Sequence, residues 1–392
     1  MSRSVLYLTP YPPTRNGIAD YALAYRSAIE THTDWRLAVA ALGHRTLGNS
    51  PRAVLTARRR VREWKRHGLL REVVLVHAEI GIKQHDEFWT LFFLLRQRPG
   101  VPCCVTVHDP PLVIAPALYP LACGARWAVV RRALRVFDYT PLGRSVVRSV
   151  VGRAACVVVL SNAGRKTLSR LVCDPERLRT LPHLPLGRPR LRRAEGAADR
   201  PLKVLFLGFW APGKGLEVLL EAAARVLSRG AAGVRFLFAG GADDSATNRR
   251  YVESVRETIR RSPGSGSFEV MGYVAAEDLD RTFADADVFV VPSIRTACVS
   301  TSGVLSRAMA AGLAVVASDV GAVREEIHHL KTGLLVPPGD VGALTEALLL
   351  LARDPSLRQR LGREAQSHLE IEHDGARVAQ ATAQIYEALA KP

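Results

Sequence analysis

The side chains best suited to chemistry fall in a few loops and at the ends of apolar runs. Residues 286–326, ADVFVVPSIRTACVSTSGVLSRAMAAGLAVVASDVGAVREE, read as strand, polar loop, helix, strand, and a further loop into a helix. A strand-to-helix loop leaves backbone N–H groups free at the helix N-terminus, where an anion can bind. Ser300, Thr301, Ser302 and Gly303 crowd that loop, and Glu325 sits on the next. Lys214 lies in a PGKG loop directly after an apolar run. Its ammonium can reach phosphate oxygens, and the glycines beside it let a ligand approach the backbone. His108 ends the apolar run VTVHD, and His77 and Glu79 lie in VLVHAE. Gly17, after Asn16, opens a helical pattern where the backbone could approach a phosphate or a second substrate. Each also has a plain structural reading: an exposed turn lysine, a satisfied core histidine, a turn glycine, a serine that only caps its helix.

These residues need a scaffold that brings strand ends together. Apolar strands are expected at 5–8, 37–41, 73–78, 101–107 and 155–160, with helical patterns between most of them, such as 18–29, 85–97 and 162–171. Strands alternating with helices indicate a parallel α/β sheet, whose ligands gather at the carboxyl ends of the strands. A Pro-, Gly- and Arg-rich stretch over 184–200 breaks the alternation and reads as a linker. The pattern then restarts, from the strand at 204–209 to a helical stretch over 355–390. The fold class expected is α/β, with two doubly wound, Rossmann-like parallel-sheet domains facing across a cleft. The domains are expected over 1–196 and 197–370, with a last helix, 371–392, packing back on the first.

Composition narrows the partners. The chain has 392 residues, 48% of them hydrophobic and 23% charged, enough for two packed cores. The formal charge of +17 is lopsided. Residues 1–200 carry 33 Lys and Arg against 14 Asp and Glu, and the rest carry 21 against 23. Such a field favours an anionic membrane surface, a phosphorylated substrate or nucleic acid. Nucleic acid is disfavoured, because the basic patches lack interleaved aromatics and any known motif order. The six cysteines show no metal-ligand spacing and read as buried free thiols of a reducing compartment. No signal peptide is expected at the start, and no apolar run is long enough to span a bilayer.

The ordered set of motifs resembles the retaining glycosyltransferases of the GT-B fold, family 4. The segments that carry the resemblance are YPPTRNGIADYALAYRSAI, VTVHDPP, VVVLSNAGRKTL, FLGFWAPGKGLEVLLEA, and the run from PS through SG, AMAAGLAVVASDVGAVREEI and TGLLVPPGD. The match they mark out extends over nearly the whole chain. The resemblance implies a cytoplasmic enzyme, peripheral on the inner face of the membrane. It would pass a sugar from a UDP- or GDP-type nucleotide sugar to a glycan or lipid-linked acceptor, with retention and without metal or other cofactor. His108 and Lys214 would be the catalytic residues. Gly17, Arg295, Ser302, Gly303 and Glu325 would bind the donor, and Asn16, His77 and Glu79 the acceptor.

Two departures stand out. Phe209 occupies the position where the family has an arginine paired with the lysine, and Arg295 is the candidate replacement. The family's two glutamates around the donor helix are also missing: Arg307 precedes Ala308–Met309–Ala310, and the loop offers Ser and Thr but no acid. An arginine cannot accept a hydrogen bond from a ribose hydroxyl. These losses sustain an alternative: an inactive GT-B-fold subunit that binds a partner transferase or a glycan. A nucleotide-sugar epimerase would need paired acids and histidines near the phosphates, which the second half does not offer.

Overall fold

The structure is a computed structural model. It describes residues 3–13, 17–40, 42, 51–70, 73–81, 85–97, 100–110, 145, 148–169, 172, 174–186, 200–231, 233–241, 246–262, 264–294 and 303–391. Among these, one compact unit holds the residues through Leu184 and those from Asp374 onward. The other holds those from Pro185 through His373.

In the first unit the strands are β1 (Arg3–Leu8), β2 (Trp35–Ala40), β3 (Leu75–Ile80), β4 (Cys103–Val107), β5 (Cys156–Val159) and β6 (Leu178–Thr180). They form one parallel sheet in the order β2-β1-β3-β4-β5-β6. The chain steps outward from β1 in both directions, so β1 and β3 flank the point where the winding reverses. In sheets of this kind ligands bind outside the carboxyl ends of the strands at that point. Helices α1 (Gly17–His32), α2 (Pro51–Arg66), α3 (His85–Gln97) and α4 (Asn162–Leu168) complete the alternation. Ser161 starts α4 as its N-cap, accepting the Gly164 N–H at 3.0 Å.

The two faces of this sheet differ in chemistry. Leu6, Leu8, Val76, Ala78, Ile80, Val105 and Val107 pack with Val61, Phe88 and Leu91 of α2 and α3 in an apolar core. Side chains alternate along a strand, so the intervening residues Tyr7, His77, Glu79 and Thr106 share the opposite face. Cys103, Cys104 and Cys156 are buried, free thiols in the sheet.

The second unit repeats the architecture. Its strands are β7 (Leu202–Phe209), β8 (Val234–Gly241), β9 (Phe268–Gly272), β10 (Val288–Val291), β11 (Ala314–Ser318) and β12 (Leu334–Val336), in the parallel order β12-β11-β10-β7-β8-β9. Here the winding reverses between β7 and β10. The helices are α5 (Leu216–Ser228), α6 (Ala246–Arg261), α7 (Ala276–Asp285), α8 (Gly303–Ala310), α9 (Val323–Glu326), α10 (Val341–Arg353) and α11 (Pro355–Glu372). The apolar stripe of α5, Leu216, Leu219, Leu220, Ala223 and Val226, is buried against the sheet with Phe236 and Val288. Replacing Leu219 by Ala would cost roughly 2–5 kcal/mol through the cavity left behind.

The helical stretch expected over 355–390 is two helices. Asp374 accepts the Ala376 N–H at 2.9 Å and starts α12 (Gly375–Ala390), which belongs to the first unit and packs on α1. The three-residue strand β6 has no counterpart in the sequence pattern. Among the described residues no helix is long and apolar enough to cross a membrane.

Candidate functional site

Glu79 is the centre of a wholly buried polar cluster in the first unit. Its Oε1 accepts from the Tyr7 hydroxyl at 2.7 Å, and its Oε2 lies 2.7 Å from Nε2 of His108. His77 Nε2 is 2.7 Å from the Thr106 hydroxyl and 3.7 Å from Glu79 Oε1. The other ring nitrogen of His77 is bonded to the Tyr386 hydroxyl of α12. Tyr25 of α1 donates to Thr382 at 3.2 Å. Tyr21, one turn earlier, meets the His108 ring edge-on at a centroid distance of 4.9 Å and stacks obliquely on His183 at the same distance.

The register explains why these groups meet. Tyr7 pairs with His77 across β1–β3, and Glu79 with Thr106 across β3–β4. His108 follows two residues after Thr106, just past the carboxyl end of β4, where its N–H donates to the Ile80 carbonyl at 2.8 Å. Tyr21 and Tyr25, four apart on one face of α1, close over the group.

Burial alone would raise the pKa of Glu79. The hydrogen bond and charge attraction of His108, with His77 and Tyr7 behind them, outweigh it and hold the carboxyl below the usual carboxylate range. Burial lowers His77 and so keeps it neutral near pH 7. Burial raises the hydroxyls of Tyr7, Tyr21, Tyr25 and Tyr386, which stay protonated as donors. An ionised Glu79 accepting from His108 fixes that ring in orientation and in tautomer.

The second unit gathers a different set. Lys214 is exposed in the loop between β7 and α5, and its ammonium has no ion-pair partner among the described residues. The loop is stitched to the end of β10: Ile294 donates to the Gly213 carbonyl at 3.1 Å, and the Ser293 hydroxyl donates to it at 3.4 Å. Gly215 has φ +78°, and a Cβ there would lie 1.7 Å from the Pro292 carbonyl oxygen. Only glycine fits, so the loop is held at the reversal point between β7 and β10.

Gly303 opens α8, and Ser306 in its first turn donates to the Gly303 carbonyl at 3.0 Å. Glu325 is half-buried on α9. Gly17 is exposed at the first position of α1. Asn16, Arg295 and Ser302 lie outside the described residues. His77 and Glu79, expected to touch an acceptor, are instead wholly buried, with their polar atoms engaged as above. They sit beneath His108. Phe209, at the position of the missing arginine, is 46% exposed at the end of β7.

Arg307 is paired within the second unit. Its guanidinium pairs with Asp280 of α7 at 3.2 Å, with the arginine side chain 16% exposed. The sequence reading also missed Tyr7, Tyr25 and Tyr386. A usable signal lay in the strands: HAE and TVH place a polar residue at every second position of otherwise apolar runs. That marks one polar face in a buried sheet.

Two Rossmann-like α/β domains with these strand orders define the GT-B class of fold. The structure of Anabaena HepE in complex with UDP-glucose superposes with a TM-score of 0.71 at 16% identity, over 98% of this chain and 99% of that one. At that identity the likeness is one of fold. Residues 201–354 match the sequence model of the family described as "Glycosyl transferases group 1". A stretch of 191 residues is 36% identical to phosphatidyl-myo-inositol mannosyltransferase of Mycobacterium leprae, 48% of this chain and 46% of that protein. GDP-mannose-dependent alpha-(1-6)-phosphatidylinositol monomannoside mannosyltransferase of Mycobacterium tuberculosis is 28% identical over 64% of this chain and 69% of its own. The chain spans about half the length of the first curated relatives it matches.

Proposed function

We propose that this chain is a retaining glycosyltransferase. It moves a sugar from a nucleotide-diphosphate sugar, of UDP or GDP type, to a glycan or lipid-linked acceptor. It uses no metal in the reaction and no cofactor beyond the sugar nucleotide. The observation that carries this reading is the Lys214 loop. It lies within the span matched to the group 1 family, and it presents an ammonium with no ion-pair partner among the described residues at the strand ends where the second sheet reverses its winding.

The second domain holds the donor. When the sugar leaves, charge develops on the diphosphate, and Lys214 and the free N–H groups at the head of α8, from Gly303, stabilise it. Arg295 and Ser302 add to that set, and Glu325 orients the nucleotide. In the first domain His108 hydrogen-bonds the transferred sugar, and Glu79 holds the ring. Gly17 opens the backbone at the head of α1 to a donor phosphate, beside Asn16 at the acceptor. The acceptor hydroxyl attacks the anomeric carbon from the face the diphosphate leaves. Its proton passes to the departing phosphate oxygen, so no protein nucleophile is required.

The names of the two mycobacterial relatives support a lipid-linked acceptor. The positive excess of residues 1–200 supports work at an anionic membrane surface, on the cytoplasmic side. One observation favours a second reading, an inactive subunit. Arg307, held by Asp280, stands where the resemblance implies an acid for the ribose.

A panel of UDP-, GDP- and dTDP-sugars, read by thermal shift and by donor hydrolysis, separates the two. Binding with turnover that Lys214→Ala abolishes supports the transferase. Binding without turnover toward any acceptor supports the inactive subunit. No binding by any of them overturns the transferase reading.

A further inference from the structure

A second group of chemistry-bearing side chains lies in the second domain and has no part in the reaction above. Glu326 ends α9, His368 lies on the last turns of α11, and His373 caps that helix. The carboxylate and the two imidazoles each bring a ligand atom to within 4.8 Å of the others. Glu326 and His373 are nearly fully buried, 6% and 4% exposed, and His368 is half-buried. A third imidazole, that of the exposed His328, has its ring centroid 5.0 Å from that of His368.

We infer that Glu326, His368 and His373 form a binding site for a divalent first-row transition cation, with Zn2+ the best match. Two imidazoles and a carboxylate are a zinc ligand set, and the fourth position falls to water or to His328. Bonds of about 2.0–2.2 Å in a tetrahedron put neighbouring ligand atoms about 3.4 Å apart. Glu326 Oε2 and His373 Nε2 are already 2.8 Å apart in a hydrogen bond. The cation therefore takes the place of the bridging proton and opens that pair slightly, while the half-buried His368 turns in by at most about 1.4 Å, from within 4.8 Å to about 3.4 Å.

The surroundings favour the same charge. The site lies at the C-terminal end of an 18-residue helix, where the unsatisfied carbonyls give the negative end of the dipole. A hydrogen bond between Glu326 and His373 needs neither of the other imidazoles. Gathering His368 and His373 beside one buried carboxylate, with His328 against His368, is repulsive when they are protonated. It is useful when all face a single cation. The bound ion would tie α9 to α11. Glu325, the neighbour of ligand Glu326, is the donor-orienting residue of the proposed reaction, so the cation would brace its backbone without touching substrate.

The test uses the full chain without a histidine tag. Zn2+ is added in equilibrium dialysis, and Co2+ is added with its visible absorption followed. The expected result is one saturable Zn2+ per chain, a rise in Tm that a chelator reverses, and the intense visible band of tetrahedral Co2+. His368→Gln, which leaves the Glu326–His373 pair intact, should keep the circular dichroism of the parent and weaken Zn2+ binding by at least about 100-fold. Glu326→Gln should do the same, and it guards against a misfolded first variant. Absence of saturable Zn2+ binding in the parent overturns the site, as does undiminished binding in a folded His368→Gln chain. Because dialysis needs no sugar nucleotide, this outcome is independent of whether the chain transfers sugars.

Discussion

His108 Nε2 sits 2.7 Å from Glu79 Oε2, and that carboxylate has no exposure of its own. The histidine at the strand end is therefore oriented by a charge that substrate cannot reach. Replacing Glu79 by Gln removes the charge and keeps the shape. Stability at pH 7 should fall by about 2–4 kcal/mol, because partners aimed at an anion lose it. On the proposed reading, glycosyl transfer should fall through kcat more than KM, since Glu79 acts through His108 and most of the proposed donor contacts lie in the second domain. The folded-state pKa of Glu79 lies below its ordinary 4.5, so its contribution is present above pH 4.5 and is lost as pH falls through the lowered value. Urea denaturation from pH 7 to pH 3 should show a shallower loss in Glu79→Gln than in the parent.

Lys214→Ala should reduce kcat/KM for transfer by roughly 10²–10³-fold, the usual effect of losing one donor to a developing anion. The side chain is exposed, so the stability of the variant should stay within about 0.5 kcal/mol of the parent. Comparable turnover in parent and variant, with Tm unchanged, would remove Lys214 from the reaction.

Gly215→Ala should fail differently. The added Cβ meets the Pro292 carbonyl oxygen at 1.7 Å, at a left-handed backbone position. We expect a loss of about 3 kcal/mol or more in the second domain, with nucleotide binding lost alongside. Urea midpoints compared with those of Lys214→Ala separate this structural loss from a chemical one.

Glu87, in the first turn of α3, is pushed up to about 7 by burial, with Asp86 adding to the shift. A carboxyl raised in the folded state favours folding when protonated. Its penalty is absent below pH 4.5, grows to pH 7 and is complete above it. Glu87→Gln should then stabilise the chain by up to about 3 kcal/mol at pH 8 and change little at pH 4. Equal Tm shifts at the two pH values would contradict the burial.

Arg307→Met tests the departure from the family pattern. The variant breaks the Arg307–Asp280 pair and should cost about 1 kcal/mol, because Asp280 is 39% exposed and returns to water. Nucleotide affinity, measured by calorimetry, should stay within about twofold. A large loss of affinity would make Arg307 a donor contact.

The alternation of strands and helices was legible because both sheets are parallel, and buried parallel strands read as apolar runs. Lys214 and Gly215 were legible for a local reason: a glycine-flanked lysine after a strand states its own geometry. The partners of His77 were not. Tyr386 lies 309 residues away from it, and nothing in either segment records the other. The last helix was expected from residue 371 and starts at Gly375; its exact start was not legible because α11 and α12 share one continuous helical pattern. Only the cap geometry divides them. Arg307 misled for the opposite reason: its partner, Asp280, comes from a neighbouring helix with no spacing rule to announce it.

The last helix has a consequence for how the chain is made. Tyr386 and Thr382 complete the polar core around His77 and Tyr25, yet the strands they complete are among the first synthesised. Domains generally fold in order as they leave the ribosome. Here the first sheet emerges with His77 held by Thr106 but without Tyr386, and that partner arrives only after the whole second domain is translated. The polar cluster of the first domain is thus completed only when residue 386 has been made.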